Sequence, residues 1–158
     1  MKDELTPALK AMSEGKFLHR AIGKIATSVS SQAKRNIMQK RKYKHIIQDR
    51  GDLAKSIQQV KVAFAHYKIM VTEPHGVFVH EGTRPHYPPY KPIREWVSRK
   101  LGVKEEPAQF LITRAIVRNI GKKGTKGRPF LTDALKEKAT QSVFEAVIKK
   151  EIEKEMSK

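Results

Sequence analysis

The chain has 158 residues, enough for one domain with a real core and little more. Its hydrophobic content of 39% is low and its charged content of 31% high, and 33 Lys and Arg against 16 Asp and Glu leave a formal net charge of +17. No apolar run approaches the roughly 20 residues of a membrane helix, the opening MKDELTPALK lacks the apolar stretch of a secretory signal, and the absence of cysteine excludes disulfides and thiolate metal sites.

In chain order, residues 1–13 read as a loose arm. Phe17, Leu18, Ala21, Ile22, Ile25, Val29, Ala33 and Ile37 then recur at spacings of three and four, the stripe of a long amphipathic helix. Ser13 and Glu14 are candidates to begin it, and the basic stretch Lys40–Lys44 to end it. Asp49-Arg50-Gly51-Asp52 is a turn cluster, after which two alternating segments follow. Val60, Val62 and Phe64 share one face of the first, and Tyr67, Ile69 and Val71 one face of the second, so a hairpin turning at Ala65-His66 is expected.

Residues 73–91 carry Pro74, Gly76, Gly82, Pro85, Pro88 and Pro89 and read as an extended loop. A short helix begins at Pro92, stops at Gly102 and is expected to bury Ile93, Trp96, Val97 and Leu101. Another runs from near Pro107 to Gly121, with Phe110, Leu111, Ala115, Ile116, Asn119 and Ile120 as its inner face. Residues 121–128 form a basic, Gly-rich link. Pro129 opens a final long helix whose inward positions are Leu131, Leu135, Val143, Ala146, Val147 and Ile152, and whose tail alternates Glu and Lys as a solvated end does. The sum is a single α+β domain over 1–158: a small antiparallel, hairpin-based sheet packed against a long N-terminal and a long C-terminal helix.

Motif chemistry is sparse. His75, His80 and His86 lie near Glu81, but Gly82 and Pro85 break the helix on which a two-histidine zinc motif depends. Residues 121–127 lack the Gly-Lys-Ser/Thr of a phosphate loop and follow a helix instead of a strand. Ser28, Ser30 and Ser31 lie on the long helix without a nucleophile signature. The sequence therefore predicts no enzyme, no cofactor and no metal site. Two basic stretches remain, Lys34, Arg35, Lys40, Arg41, Lys42 and Lys44, and Arg114, Arg118, Lys122, Lys123, Lys126 and Arg128. No acidic residue occurs from Pro107 through Thr132, so non-specific contact with DNA or an acidic protein surface is expected. Nothing in the chain matches a sequence-reading motif.

Three blocks carry a resemblance. Gly51-Asp52-Leu53-Ala54-Lys55-Ser56-Ile57 precedes the hairpin. Val77-Phe78-Val79-His80-Glu81-Gly82-Thr83 continues into Arg84-Pro85-His86-Tyr87-Pro88-Pro89, and Gly127-Arg128-Pro129-Phe130-Leu131-Thr132-Asp133-Ala134-Leu135 closes the series. In order and spacing they resemble the neck and tail-completion proteins of long-tailed phages and prophages. Gly82 follows Glu81 directly, where many relatives place an apolar residue between Glu and Gly.

The resemblance implies a non-enzymatic virion morphogenesis protein of the head–tail junction. Such a protein would assemble as a homo-oligomeric ring with phage connector or tail proteins, in the virion and, during assembly, in the host cytoplasm. The block residues themselves read as fold determinants, Gly82 through a positive φ and Pro129 through a fixed helix start. Contacts are expected from the loops beside them, at Gly82, Thr83, Arg84, His86, Tyr87 and Tyr90 and at Lys122, Lys123, Lys126 and Arg128. A rival reading is a basic, non-specific nucleic-acid-binding protein.

Overall fold

A computed structural model of the chain describes residues 15–38 and 50–157. The arm at 1–13, the Ser13-Glu14 start and the Lys40–Lys44 stretch lie outside the described residues. The fold is α+β, with a long N-terminal helix, a two-stranded antiparallel sheet and a long C-terminal helix. The described chain clusters into two compact units, where length alone suggests one domain. The first takes in the residues up to Pro74 and from Phe130 onward; the second is His75–Pro129, set between them in sequence.

The first unit is built on α1 (Lys16–Met38). Its expected stripe holds at Ala21, Val29, Ala33 and Ile37, which are buried and joined by Ala26, while Leu18 is exposed, contrary to expectation. After Gly51 in the left-handed region comes the single turn α2 (Asp52–Lys55), whose Leu53 and Ala54 are buried. The hairpin follows as β1 (Ile57–Ala63) and β2 (His66–Val71), pairing Ile57 with Val71, Gln59 with Ile69 and Lys61 with Tyr67. Its turn is Phe64-Ala65, with Ala65 at φ 51°, one residue earlier than the alternation predicts, because the register shifts between Lys61 and Ala63.

His19 of α1 fixes that turn. Its Nδ1 accepts the Ala65 N–H at 3.0 Å, so the ring proton sits on Nε2, which lies 3.3 Å from the Tyr67 hydroxyl. The ring also stacks on Phe64 and Tyr67. Tyr67, Ile69 and Val71 are half-buried, as expected of an inner face. Val60, Val62 and Phe64 are not: the two valines share a face with Met70, and all four residues are exposed. A two-stranded sheet covered by one helix has only one dry side.

The final helix is two helices, α6 and α7. The first (Phe130–Lys136) and the second (Lys138–Met156) are separated by the extended Glu137. Phe130 and Ala134 are fully buried against α1, and Asn36 of α1 donates to the Phe130 carbonyl at 3.2 Å. The inward positions expected from sequence are corrected here: Leu135, Val143 and Ala146 are exposed, and the buried residues of α7 are Thr140 and Glu151.

Glu151 also corrects the reading of the tail as wholly solvated. Its carboxylate, 2% exposed, accepts from Arg20 Nε at 2.9 Å and from Lys24 Nζ. Hydrogen bonds from these two cations hold its pKa down at about 2, against the burial that would raise it. Arg20 and Lys24 stand one turn apart on α1, so a single acid on α7 satisfies both.

The second unit comprises α3 (Gly76–Glu81), β3 (Gly82–Thr83), α4 (Tyr90–Leu101), α5 (Ala108–Lys123) and β4 (Thr125–Lys126). The 73–91 segment is therefore not one extended loop. Its apolar run Val77-Phe78-Val79 coils into a short helix, and α4 starts two residues before Pro92. Nor is 121–128 simply a link: α5 extends through Lys123, past Gly121, and two of the remaining residues form a strand.

Helices α4 and α5 pack on each other. Val97 is fully buried, Ile93 and Trp96 are half-buried, and Leu101 is exposed, contrary to expectation. The inner face of α5 is also rotated from the predicted one. Gln109 and Thr113 are buried, with Ile112, Ile116, Val117 and Ile120 half-buried, while Phe110, Leu111, Ala115 and Asn119 are exposed. Two polar residues can occupy that face because both are paired. Thr113 donates to the Gln109 carbonyl at 2.7 Å, and the Gln109 side chain accepts from Arg94 at 2.8 Å.

Candidate docking surface

The two segments singled out as contact loops are brought together in the second unit, and backbone does most of the joining. Strands β3 and β4 pair antiparallel, Gly82 opposite Lys126 and Thr83 opposite Thr125. The Thr125 N–H donates to the Thr83 hydroxyl at 3.1 Å, and the two threonine hydroxyls lie 2.9 Å apart. One step outward, the Arg128 N–H donates to the Val79 carbonyl at 2.9 Å.

This clamp depends on glycine. Gly82 has φ 85° and Gly124 φ 69°, and a Cβ on either would overlap main chain, at Thr125 and Gly127 for the first and at Thr83 and Arg84 for the second. The expected positive φ at Gly82 is thus present, with a close approach that the sequence does not reveal. Gly124 carries the same constraint; its signal was the spacing of Gly121, Gly124 and Gly127 in a basic segment.

Beyond the strands, the loop lies along the end of α5. The His86 N–H points to the Ile120 carbonyl at 3.4 Å, and the Tyr87 ring lies where a Cβ on Gly121 would be. Tyr87 nevertheless remains 72% exposed. Arg84 is exposed, and its carbonyl lies 3.0 Å from His86 Nδ1.

Lys122 and Lys123 close α5, Lys126 is exposed on β4, and half-buried Arg128 follows. Nine of the ten predicted contact residues therefore gather at one end of the unit. Tyr90 does not. Its hydroxyl donates to the Phe110 carbonyl at 3.3 Å and its ring packs on Phe110, about 16 Å from Gly121 along the helix axis.

Around Phe110 lies a network that the sequence reading missed. Arg94 bridges Glu106 at 2.6 Å and Gln109 at 2.8 Å, and the other Glu106 oxygen accepts the Phe110 N–H at 3.2 Å. A carboxylate on a free N–H in the first turn is a favourable cap, and it fixes the start of α5.

The second unit leaves several apolar side chains uncovered, at the clamp and away from it. Val77 and Phe78 on α3 are 58% and 60% exposed, and Tyr87, Phe110 and Leu111 also lie open. A separate feature is cationic. Arg114, Arg118 and Lys122 are all exposed on α5 at four-residue spacing, which places them on one face. The four-residue spacing of this stripe is visible within the second basic stretch of the sequence.

His75, His80 and His86 do not form a metal group; among the described residues no three His, Asp or Glu side chains are arranged to hold an ion. No helix among those residues is long and apolar enough to cross a membrane. Of the first basic stretch, Lys34 and Arg35 end α1, where Arg35 donates to Gln32 at 2.8 Å, and its other members are outside the described residues. Compared with known proteins, the chain finds no match among protein-family models, curated proteins or solved structures.

Proposed function

We propose that the protein is a non-enzymatic structural component of a phage or prophage head–tail junction. It acts by docking and ring assembly, through the unit His75–Pro129. The observation that carries this reading is that unit's construction. Its backbone is clamped by β3, β4 and close-approaching glycines, while Val77, Phe78, Tyr87, Phe110 and Leu111 stay uncovered. A rigid frame that presents aromatic and aliphatic side chains without a core to bury them is suited to a partner surface. The order of the three sequence blocks supports the phage assignment. The second block and the first two residues of the third meet in the clamp, so their joint presence has a structural reason.

The mechanism is complementary docking of shape and charge. Copies carrying a net charge of +17 repel one another unless acidic partner surfaces or nucleic acid offset them, so ring formation is expected on the assembling particle. The test is a native mass measurement of the purified chain, alone and with the connector or tail-tube protein encoded beside it. A stoichiometric complex or ring in the mixture is expected. A strict monomer in both settings, or a gene neighbourhood without virion proteins, contradicts the reading. The rival, a non-specific nucleic-acid-binding protein outside the virion, predicts duplex binding with no affinity for either virion protein.

A further inference from the structure

We propose that the outward face of α5, formed by Arg114, Arg118 and Lys122 and adjoined by Lys123 and Lys126, binds the phosphate backbone of nucleic acid without reading its sequence. The inference takes double-stranded DNA as its target from the junction reading and rests on it to that extent.

Three observations converge. The first is regularity. Arg114, Arg118 and Lys122 recur every four residues, about 6 Å apart along the helix axis, giving a line of charge about 12 Å long. Like charges one turn apart oppose helix formation, so the line costs stability unless an anion meets it. Lys122 and Lys123 are partly accounted for by their position at a helix C-terminus, but Arg114 and Arg118 are one to two turns too early for that benefit.

The second observation is the lack of an internal partner. Some cations elsewhere are matched: Glu151 takes Arg20 and Lys24, Glu106 takes Arg94, Glu95 lies 3.9 Å from Arg99, and Glu153 lies 4.0 Å from Lys149, while Lys68, Lys136 and Lys150 are unmatched among the described residues but stand singly on three different elements. The side chains of Arg114, Arg118, Lys122, Lys123 and Lys126 have no hydrogen-bond or ion-pair partner among the described residues.

The third concerns the neighbours on that face. From Arg114 onward the exposed positions of α5 are Arg114, Ala115, Arg118, Asn119, Lys122 and Lys123, all cationic, small or amide. A protein partner is met by an apolar centre, which this face lacks; a phosphate backbone needs charge, amide donors and forked guanidinium groups, which it has. None of these exposed helix positions is aromatic, and Tyr87 beside Gly121 is the one open ring near them, which favours duplex over single strands.

The experiment measures binding of the full chain to a random-sequence DNA duplex from 50 to 200 mM salt. The triple variant R114Q/R118Q/K122Q is compared with K68Q/K136Q/K150Q, which removes the same charge at exposed positions of the other unit. Each released counterion steepens the dependence of log affinity on log salt by about 0.9, so the stripe variant should lose close to 3 from that slope and at least about tenfold in affinity at the lowest salt. The control should retain most of both. Hydrogen exchange of the wild type should show duplex protection over 108–123, a readout that needs no variant to fold.

Equal losses in the two variants, or protection elsewhere, would assign binding to net charge and overturn the inference. So would binding of polyglutamate in preference to DNA. A stripe variant that loses DNA yet still joins the connector supports the inference and leaves the junction reading standing. Wild type without affinity for DNA at low salt overturns the inference, whatever its assembly.

Discussion

The two units of this chain are closed by different means. The first buries apolar side chains in the usual way: Ala21, Val29, Ala33, Ile37, Leu53, Ile57 and Phe130 converge around α1, and a buried carboxylate ties α7 to it. The second, near the size at which a core becomes marginal, has Val97 as its only fully covered aliphatic side chain among the described residues. Its integrity comes from main-chain pairing, glycine contacts and the network of Arg94, Glu106 and Gln109. A segment held by its backbone can leave its side chains for other uses. On the proposed reading the first unit is a scaffold and the second a presenting frame.

Breaking the scaffold should have the largest effect. Phe130→Ala removes a fully buried ring and should cost about 3–5 kcal/mol, lowering the melting temperature by on the order of 10 °C. Calorimetry of wild type and variant checks this. Breaking the frame should cost less and remain local. Gly124→Ala places a methyl group against the Thr83 carbonyl at positive φ, a strain of about 1–3 kcal/mol. Amide exchange should accelerate at 79–84 and 124–128 while α1 stays protected. Equal acceleration in α1 would mean that the units are not distinct in stability.

The buried carboxylate sharpens the comparison through pH. Glu151 is held at about 2, below the ordinary 4.5, so its stabilisation is fully present above pH 4.5 and is lost as pH falls toward 2. Glu151→Gln should cost about 1–3 kcal/mol at neutral pH, less than for a fully buried ion pair because Arg20 and Lys24 are partly solvated. The difference between wild type and variant should shrink steadily in melts between pH 5 and pH 2. The smallest effect on folding is expected at Phe78→Ser. With 60% of the residue exposed, the change should stay within about 0.5 kcal/mol in denaturant melts while weakening any assembly with the proposed virion partner.

These differences also explain what the sequence could and could not disclose. Helix α1 was legible because a single dominant stripe is buried along its length. Helix α5 was misread because it offers two overlapping apolar stripes. The one that faces α4 runs through Gln109 and Thr113, whose polar groups are satisfied internally, and hydropathy penalises them. Glu151 was hidden because its cations lie 127 and 131 residues away. Strands of two residues carry no periodicity, so β3 and β4 could be signalled only by the glycines that let them approach. The two loops proposed for contact were nonetheless visible in sequence, because segments rich in Gly, Pro and Lys stand out without knowing what they join.

The account's central claim is that the unit His75–Pro129 is the one that meets a partner. It is tested most directly by hydrogen exchange on the protein alone and in complex with the proposed partner, a connector or tail-tube protein encoded beside it. Protection should be gained within 75–129, at α3 and along the loop from Gly82 to Tyr90, with α1 and α7 unchanged. Protection confined to α1, the hairpin or α7, with 75–129 exchanging as in the free protein, would contradict it.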